Sequence, residues 1–355
     1  MLEKQGTTGE PWTAVLVSVQ PPGVTDEEAG EFLEELAALA STAGANATSS
    51  VLQRRSTPDP ATLLGSGKAR EVAGEVEASG ASLVIFDNEL SIGQQDRLAE
   101  LLGARVVDRT ALILEIFAQH AHTAEGRVQV ELAQYSYLLP RIRGYGMELS
   151  RMGGGIGTRR GPGETKLEVD RRRIRKRIHR LEAELERMEA VRRTQRKRRV
   201  KAGLPSVCLV GYTNSGKSSL LNRLTGAGVP VEDQLFSTLD STTRRMALPG
   251  GLTALLSDTV GFIRKLPHEL VAAFRSTLEV VRDSDLLLHV IDPTRSGTME
   301  ARTRSVEAVL SELGAEELPV IEVINKVDTL DPAARQSLES ARPAALQVSA
   351  RTGEG

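Results

Sequence analysis

The sequence predicts an α/β protein in three pieces: a small parallel α/β domain, an antiparallel helical hairpin and a second, larger α/β domain. Three observations carry this. Strand-like and helix-like segments alternate through residues 10–107, the pattern of a parallel sheet with crossover helices. Two segments of helical periodicity then flank a stretch rich in Gly and Arg. Beyond residue 201, short apolar runs end in polar turns, as the strands of a ligand-binding sheet do at their carboxyl ends.

The first piece, residues 10–107, opens with a strand-like run at 12–19 (WTAVLVSV). Residues 26–40 place Phe32, Leu33, Leu36 and Leu39 on one side of a helix. Thr25 is its N-cap, and Glu28 three residues later completes a capping box. Strands are expected near 47–52, 83–86 and 105–107, and helices over 68–78 and 92–102. Gly65-Ser66-Gly67-Lys68 looks like half of a phosphate loop, but no buried strand precedes it. It reads as a helix entry.

The second piece, residues 108–200, begins with a helix over 108–122 that turns Leu112, Ile113, Ile116 and Phe117 inward, and a helical segment continues or restarts over 129–139. Residues 140–165 form a loop with eight glycines that also carries Arg141, Arg143, Arg151, Arg159 and Arg160, with Lys166 just after it. Glycine at that density does not hold a helix. Leu167, Ile174, Ile178, Leu181, Leu185 and Met188 then repeat at heptad-like spacing, a seam that packs back on the preceding helix. Residues 192–201 read as a linker or helix end. Gly153-Gly154-Gly155-Ile156-Gly157 follows no strand, so it is not a dinucleotide fingerprint.

Charge singles out this piece. The whole chain carries a net charge of −2, yet residues 141–201 hold 21 Lys/Arg against eight Asp/Glu. That imbalance exceeds what pairing along one helix cancels, and it points to a polyphosphate or nucleic-acid partner. Arg141, Arg143, Arg151, Arg159, Arg160 and Lys166 are the RNA-binding candidates, a probe for a phosphate-lined cavity.

Composition bounds the rest. With 355 residues, 40% hydrophobic and 26% charged, the chain is neither collagen-like nor wholly disordered. Aromatics at 3% argue against a stacking platform for single strands. Cys208 is the one cysteine, which excludes an intramolecular disulfide and a cysteine-cluster zinc site and fits a reducing compartment. The N-terminus has no secretory signal pattern, and no run of apolar residues is long enough to span a membrane. A cytoplasmic protein is expected, with peripheral membrane association through the Arg-rich helix as a further option, and a monomer.

The third piece, residues 201–355, carries the chemistry. Residues 207–210 (VCLV) run into Gly211-Tyr212-Thr213-Asn214-Ser215-Gly216-Lys217-Ser218. This is G-x-x-x-x-G-K-S between a buried strand and a helix, the setting the phosphate loop requires. Its backbone N–H groups and the following helix N-terminus suit phosphate oxygens. Lys217 is suited to neutralise the β and γ phosphates, and the Ser218 hydroxyl to bind Mg²⁺, the expected cofactor. Asp258-Thr259-Val260-Gly261 is D-x-x-G at a strand end, placed for Mg²⁺ through water and for the γ-phosphate. Asn325-Lys326-Val327-Asp328 is N-K-x-D after a strand at 320–324. The Asp328 carboxylate can accept from guanine N1–H and its exocyclic amine, and adenine would leave it unpaired at a cost. Ser349, Ala350 and Arg351 after residues 345–348 match the last guanine loop. Four motifs in this order specify a P-loop GTPase domain that binds GTP and GDP.

A nucleotide-sensing loop, switch I, must lie between the phosphate loop and Asp258. Phe236-Ser237-Thr238-Leu239-Asp240, followed by Ser241, Thr242 and Thr243, offers several hydroxyls, and spacing alone leaves Thr238, Thr242 and Thr243 open. Phe262 stands where many GTPases place a water-orienting Gln. Slow intrinsic hydrolysis is expected, with no catalytic residue assigned and a partner repositioning water or switch loops. His268, six residues on, reads as surface, and the other histidines form no ligand cluster.

These residues resemble the HflX family of ribosome-associated GTPases, within the Obg-HflX group, over nearly the whole chain. The resemblance rests on Asp87-Asn88-Glu89-Leu90 with Gln94-Gln95, on residues 108–118 (DRTALILEIFA), and on 129–134 (QVELAQ). It continues through Leu139-Pro140-Arg141, Gly161-Pro162-Gly163-Glu164-Thr165 and the 236–240 segment. It implies that Thr238 is the Mg²⁺-binding threonine beside Ser218. It implies a large ribosomal subunit and its rRNA as partner, splitting of stalled or hibernating ribosomes, and GTPase activity stimulated by the ribosome. It further implies a final helix and a small C-terminal domain, so a chain stopping at Gly355 is expected to be partial, its G domain lacking the final helix. The alternatives are a large-subunit assembly GTPase, an RNA-binding protein with only regulatory GTP binding, and a membrane-surface GTPase.

Overall fold

The computed structural model describes residues 11–142, 166–201, 203–229, 234–265, 270, 274, 278–294 and 296–355. The chain divides into two compact units, residues 1–119 with 131–182, and residues 120–130 with 183–355.

The first unit alternates as the sequence predicts. Its elements are β1 (Trp12–Gln20), α1 (Asp26–Thr42), β2 (Ala45–Arg54), α2 (Ser66–Ser79), β3 (Leu83–Phe86), α3 (Ile92–Leu102), β4 (Arg105–Asp108) and α4 (Arg109–His120). The strands form a parallel sheet in the order β2-β1-β3-β4. Thr25 and Glu28 make the expected capping box. Gly65 is the N-cap of α2, so the Gly-Ser-Gly-Lys run is a helix entry. Leu64, Phe86 and Leu98 are fully buried in a cluster between α2, α3 and the sheet. Each contributes roughly 1.5–3 kcal/mol by removal from water.

The motif residues between Asp87 and Arg141 hold the carboxyl ends of these strands. Buried Arg109 pairs with Asp87 at 2.9 Å and with Glu35. Asp108, fully buried, accepts from the Tyr137 hydroxyl at 2.9 Å, from Arg141 at 3.1 Å and from the Ala111 N–H at 2.8 Å.

Helix α5 (Ala124–Arg141) is longer than the periodicity over 129–139 suggests, and it includes Pro140 and Arg141. Arg141 was expected to project from the loop. Instead its guanidinium stacks on the Tyr137 ring at 3.4 Å and bonds to Asp108 and the Leu90 carbonyl. These contacts extend the last turn past Pro140. Arg143, Arg151, Arg159 and Arg160 lie outside the described residues, as does His268.

Lys166 is the first residue of α6 (Lys166–Lys201). Of the two readings of residues 192–201, linker or helix end, the structure has the helix end, with the helix continuous to Lys201. Arg and Lys are good helix formers, and no Gly or Pro interrupts them before Gly203 and Pro205. Leu181 and Leu185 of the heptad seam are buried. Glu131 pairs with Arg177 at 2.6 Å and Glu125 with Arg192 at 3.0 Å, so α5 and α6 run antiparallel.

The second unit adds β5 (Ser206–Gly211), α7 (Lys217–Thr225), β6 (Thr242–Ala247), β7 (Thr253–Asp258), β8 (Leu286–Ile291), α8 (Ser296–Glu312), β9 (Val320–Ile324), α9 (Pro332–Ala341) and β10 (Leu346–Gln347). Its sheet has the order β10-β9-β8-β5-β7-β6, parallel except for β6 against β7. After β5 the chain moves first to β7 on one side and then to β8 on the other. The carboxyl end of β5 is therefore a topological switch point, where such sheets open a crevice for ligands.

Candidate functional site

The phosphate loop leaves β5 at that crevice. Gly211 ends the strand and Lys217 begins α7, whose N-cap Gly216 offers no side-chain bond to the first-turn N–H groups. Those donors stay open to an anion. The buried Lys217 amine bonds to the carbonyls of Gly211 at 3.2 Å and Tyr212 at 2.9 Å. Burial lowers its pKa to about 8, with the Asp258 charge opposing. Burial raises the Asp258 carboxyl in turn.

Three hard oxygen donors converge beside it. Ser218 Oγ lies 2.8 Å from Thr238 Oγ1 and donates to Asp258 Oδ2 at 2.6 Å. Hydroxyls and a carboxylate clustered next to open N–H groups fit Mg²⁺ carried with a polyphosphate. Of the three switch I candidates only Thr238 reaches this cluster. Thr242 and Thr243 lie in β6, where Thr243 bonds to Ser257 at 2.8 Å. Phe236, Ser237 and Thr238 line the cavity together with Thr213, Asn214, Thr259 and Gly261. A Cβ on Gly261 would sit 3.0 Å from Lys217 Nζ and 2.7 Å from Thr213 Cα, so only glycine lets the backbone pass there. Leu239 and Val260 are buried, and the Thr259 hydroxyl donates to the Leu209 carbonyl, so these three hold their two loops in place. Asp240 turns away from the phosphate loop and bonds to Thr123.

The guanine motifs are bonded to the phosphate loop. Asn325 Nδ2 donates to the Ser215 carbonyl at 2.9 Å, and its Oδ1 accepts from Ala350 N–H at 2.9 Å. Lys326 Nζ donates to the Asn214 carbonyl and to Asp292, both at 2.7 Å. Val327 is buried beneath this turn. Ser349 Oγ donates to Asp328 Oδ1 at 2.7 Å, which orients the carboxylate, and exposed Arg351 lies 3.9 Å from Asp328. The structure thus brings the four motifs to one rim.

Phe262 is 1% exposed. Its carbonyl accepts from Thr213 N–H at 2.7 Å, and its N–H donates to the Gly211 carbonyl at 3.1 Å. Tyr212 extends this zipper: its hydroxyl accepts from Arg264 N–H at 2.9 Å, and Arg302 lies 5.0 Å over its ring.

Asp292 was missed in the sequence. Burial works against its charge, but Lys326 holds its pKa below the usual carboxylate range. Its position directly after an apolar strand was the available signal, and its partner 34 residues away was not visible.

Family models match all three pieces. A GTP-binding GTPase N-terminal model covers residues 30–118, a GTP-binding GTPase middle-region model covers 120–199, and a 50S ribosome-binding GTPase model covers 206–326. The chain is 54% identical to GTPase HflX of Caldanaerobacter subterraneus over 318 residues, covering 90% of this chain and 73% of that protein. It is 47% identical to GTPase HflX of Escherichia coli, covering 96% of this chain and 80% of the relative. The crystal structure of SsGBP in complex with GDP superposes with a TM-score of 0.52 at 29% identity, covering 96% of this chain and 93% of that one.

Proposed function

This chain belongs to the HflX family of GTPases, and from that premise we propose that it is a GTP-operated switch on the large ribosomal subunit that splits stalled or hibernating ribosomes. It is a GTPase: GTP and water give GDP and phosphate. The observation that carries the switch reading is the meeting of Thr238 with Ser218 and Asp258. Switch I thereby closes on the groups that would hold Mg²⁺, and the γ-phosphate is what such a closure senses.

In this reading the phosphate-loop N–H groups and Lys217 bind the β and γ phosphates, and Ser218 and Thr238 hold Mg²⁺ with Asp258 behind them. The metal supplies charge neutralisation on the phosphates when bound. Asn325, Lys326 and Asp328 with Ser349 and Ala350 select guanine. The Phe262 ring offers no hydrogen bond to an attacking water, so intrinsic hydrolysis is slow and the ribosome completes the site. The GTP-closed form binds the subunit, with Arg143, Arg151, Arg159, Arg160 and Lys166 as candidates for contact with rRNA. The 50S ribosome-binding GTPase model over residues 206–326 and the cationic block support this partner.

The test is sedimentation of intact ribosomes with the protein and either a non-hydrolysable GTP analogue or GDP. Conversion to subunits with the analogue, the protein travelling with the large one, is expected. Binding only to immature large subunits would identify an assembly factor instead.

A further inference from the structure

Switch I is held at three points. Phe236 is buried at φ +60, a backbone that a bulky residue keeps only where its surroundings hold it. Two residues on, Thr238 meets Ser218. Two further on, Asp240 reaches the start of α5. Its Oδ2 accepts from the backbone N–H of His122 at 3.0 Å and of Thr123 at 2.8 Å, and its Oδ1 accepts from the Thr123 hydroxyl. Thr123 Oγ1 in turn accepts from Gly126 N–H at 2.9 Å. Helix starts leave such N–H groups without intrahelical partners. A carboxylate from switch I therefore completes the cap of α5.

Gly126 shows that the approach is tight. A Cβ there would lie 2.2 Å from Asp240 Oδ1. Glycine weakens a helix relative to alanine, and room for this carboxylate accounts for its presence in the first turn of α5.

We propose that this cap is a nucleotide-state relay in which Asp240 is a positioning residue tying the start of α5 to switch I. It forms when Thr238 closes on Ser218 and is lost when Thr238 leaves. The inference rests on reading Thr238 as the switch threonine of the GTP site. Only buried Leu239 separates the two residues, so a shift of Thr238 carries the carboxylate with it. Hydrogen bonds of this length weaken steeply when stretched or bent. The helix that receives the signal runs from Ala124 to Arg141, where the Gly/Arg-rich segment begins in the sequence. Coupling of this kind is reciprocal. A partner that holds α5 in its capped state therefore favours closed switch I and the nucleotide that closes it.

The test is amide hydrogen exchange of the full chain with Mg²⁺ and either GDP or a non-hydrolysable GTP analogue, read at His122, Thr123 and residues 124–128. Fluorescent-nucleotide displacement in the same samples measures binding. Exchange at His122 and Thr123 is expected on the order of tenfold slower with the analogue than with GDP. Gly126→Ala, which favours the helix but blocks the carboxylate, should abolish that difference. Thr123→Ala should reduce it, and Thr123→Ser, which keeps the hydroxyl, should retain it. Bound nucleotides with equal exchange rates would overturn the relay alone, as would a difference that persists in Gly126→Ala. Failure of both nucleotides to bind would overturn the GTP-site reading, and the relay with it.

Discussion

The burial of Lys217 bears on the phosphate binding proposed for it. Burial brings its amine to about 8 in the free protein, whereas phosphate charge favours the protonated form. Above pH 8 the free protein has lost this proton and the complex keeps it. Binding then takes up a proton, and affinity falls as pH rises. Titration with a GTP analogue should show affinity weakening up to about tenfold per pH unit above 8. Lys217→Ala should remove most of the binding, and a flat pH profile in the unaltered protein would contradict the assignment. Asp328 is proposed to select guanine. Asp328→Asn should cut the preference for GTP over ATP by at least about a hundredfold in competition, since an amide cannot accept from both guanine donors as a carboxylate does. Phe262 is a packing residue by its burial. Phe262→Ala should cost about 3–5 kcal/mol in denaturant unfolding, and a fast basal rate that this change lowers would contradict the reading.

At the scale of elements, one buried carboxylate holds β4, α4 and the end of α5 together. Asp108→Ala strands Arg141 and the Tyr137 hydroxyl and removes the cap on Ala111. It should destabilise the protein by about 3–5 kcal/mol in chemical unfolding. What was legible in the sequence follows the same logic of locality. The strands and helices of the first unit and the capping box at Thr25 are contiguous patterns, and they were readable to within a few residues. β6 (TTRRMA) was not, because an exposed edge strand carries no apolar alternation and exists through its pairing with β7. The destination of Arg141 was equally hidden. Arginine in a cationic run reads as solvent-facing, and the acceptor that captures it lies 33 residues earlier. Asp240 reads as part of a phosphate-facing loop, yet its partner is 117 residues back.

For the whole molecule, the chain joins a GTPase unit to a strongly cationic segment, 21 basic against eight acidic residues over 141–201 within a chain of net charge −2. Such a distribution favours a polyanionic partner and makes its binding weaken with salt. Helices α5 and α6 each contribute residues to both compact units. Gating of this GTPase by the ribosome is the proposal these features support. It is tested most directly by GTP turnover with and without purified large ribosomal subunits, with ATP in parallel. Slow turnover alone, strong stimulation by the subunit with GTP, and none with ATP are expected. Turnover unchanged by the subunit would contradict it.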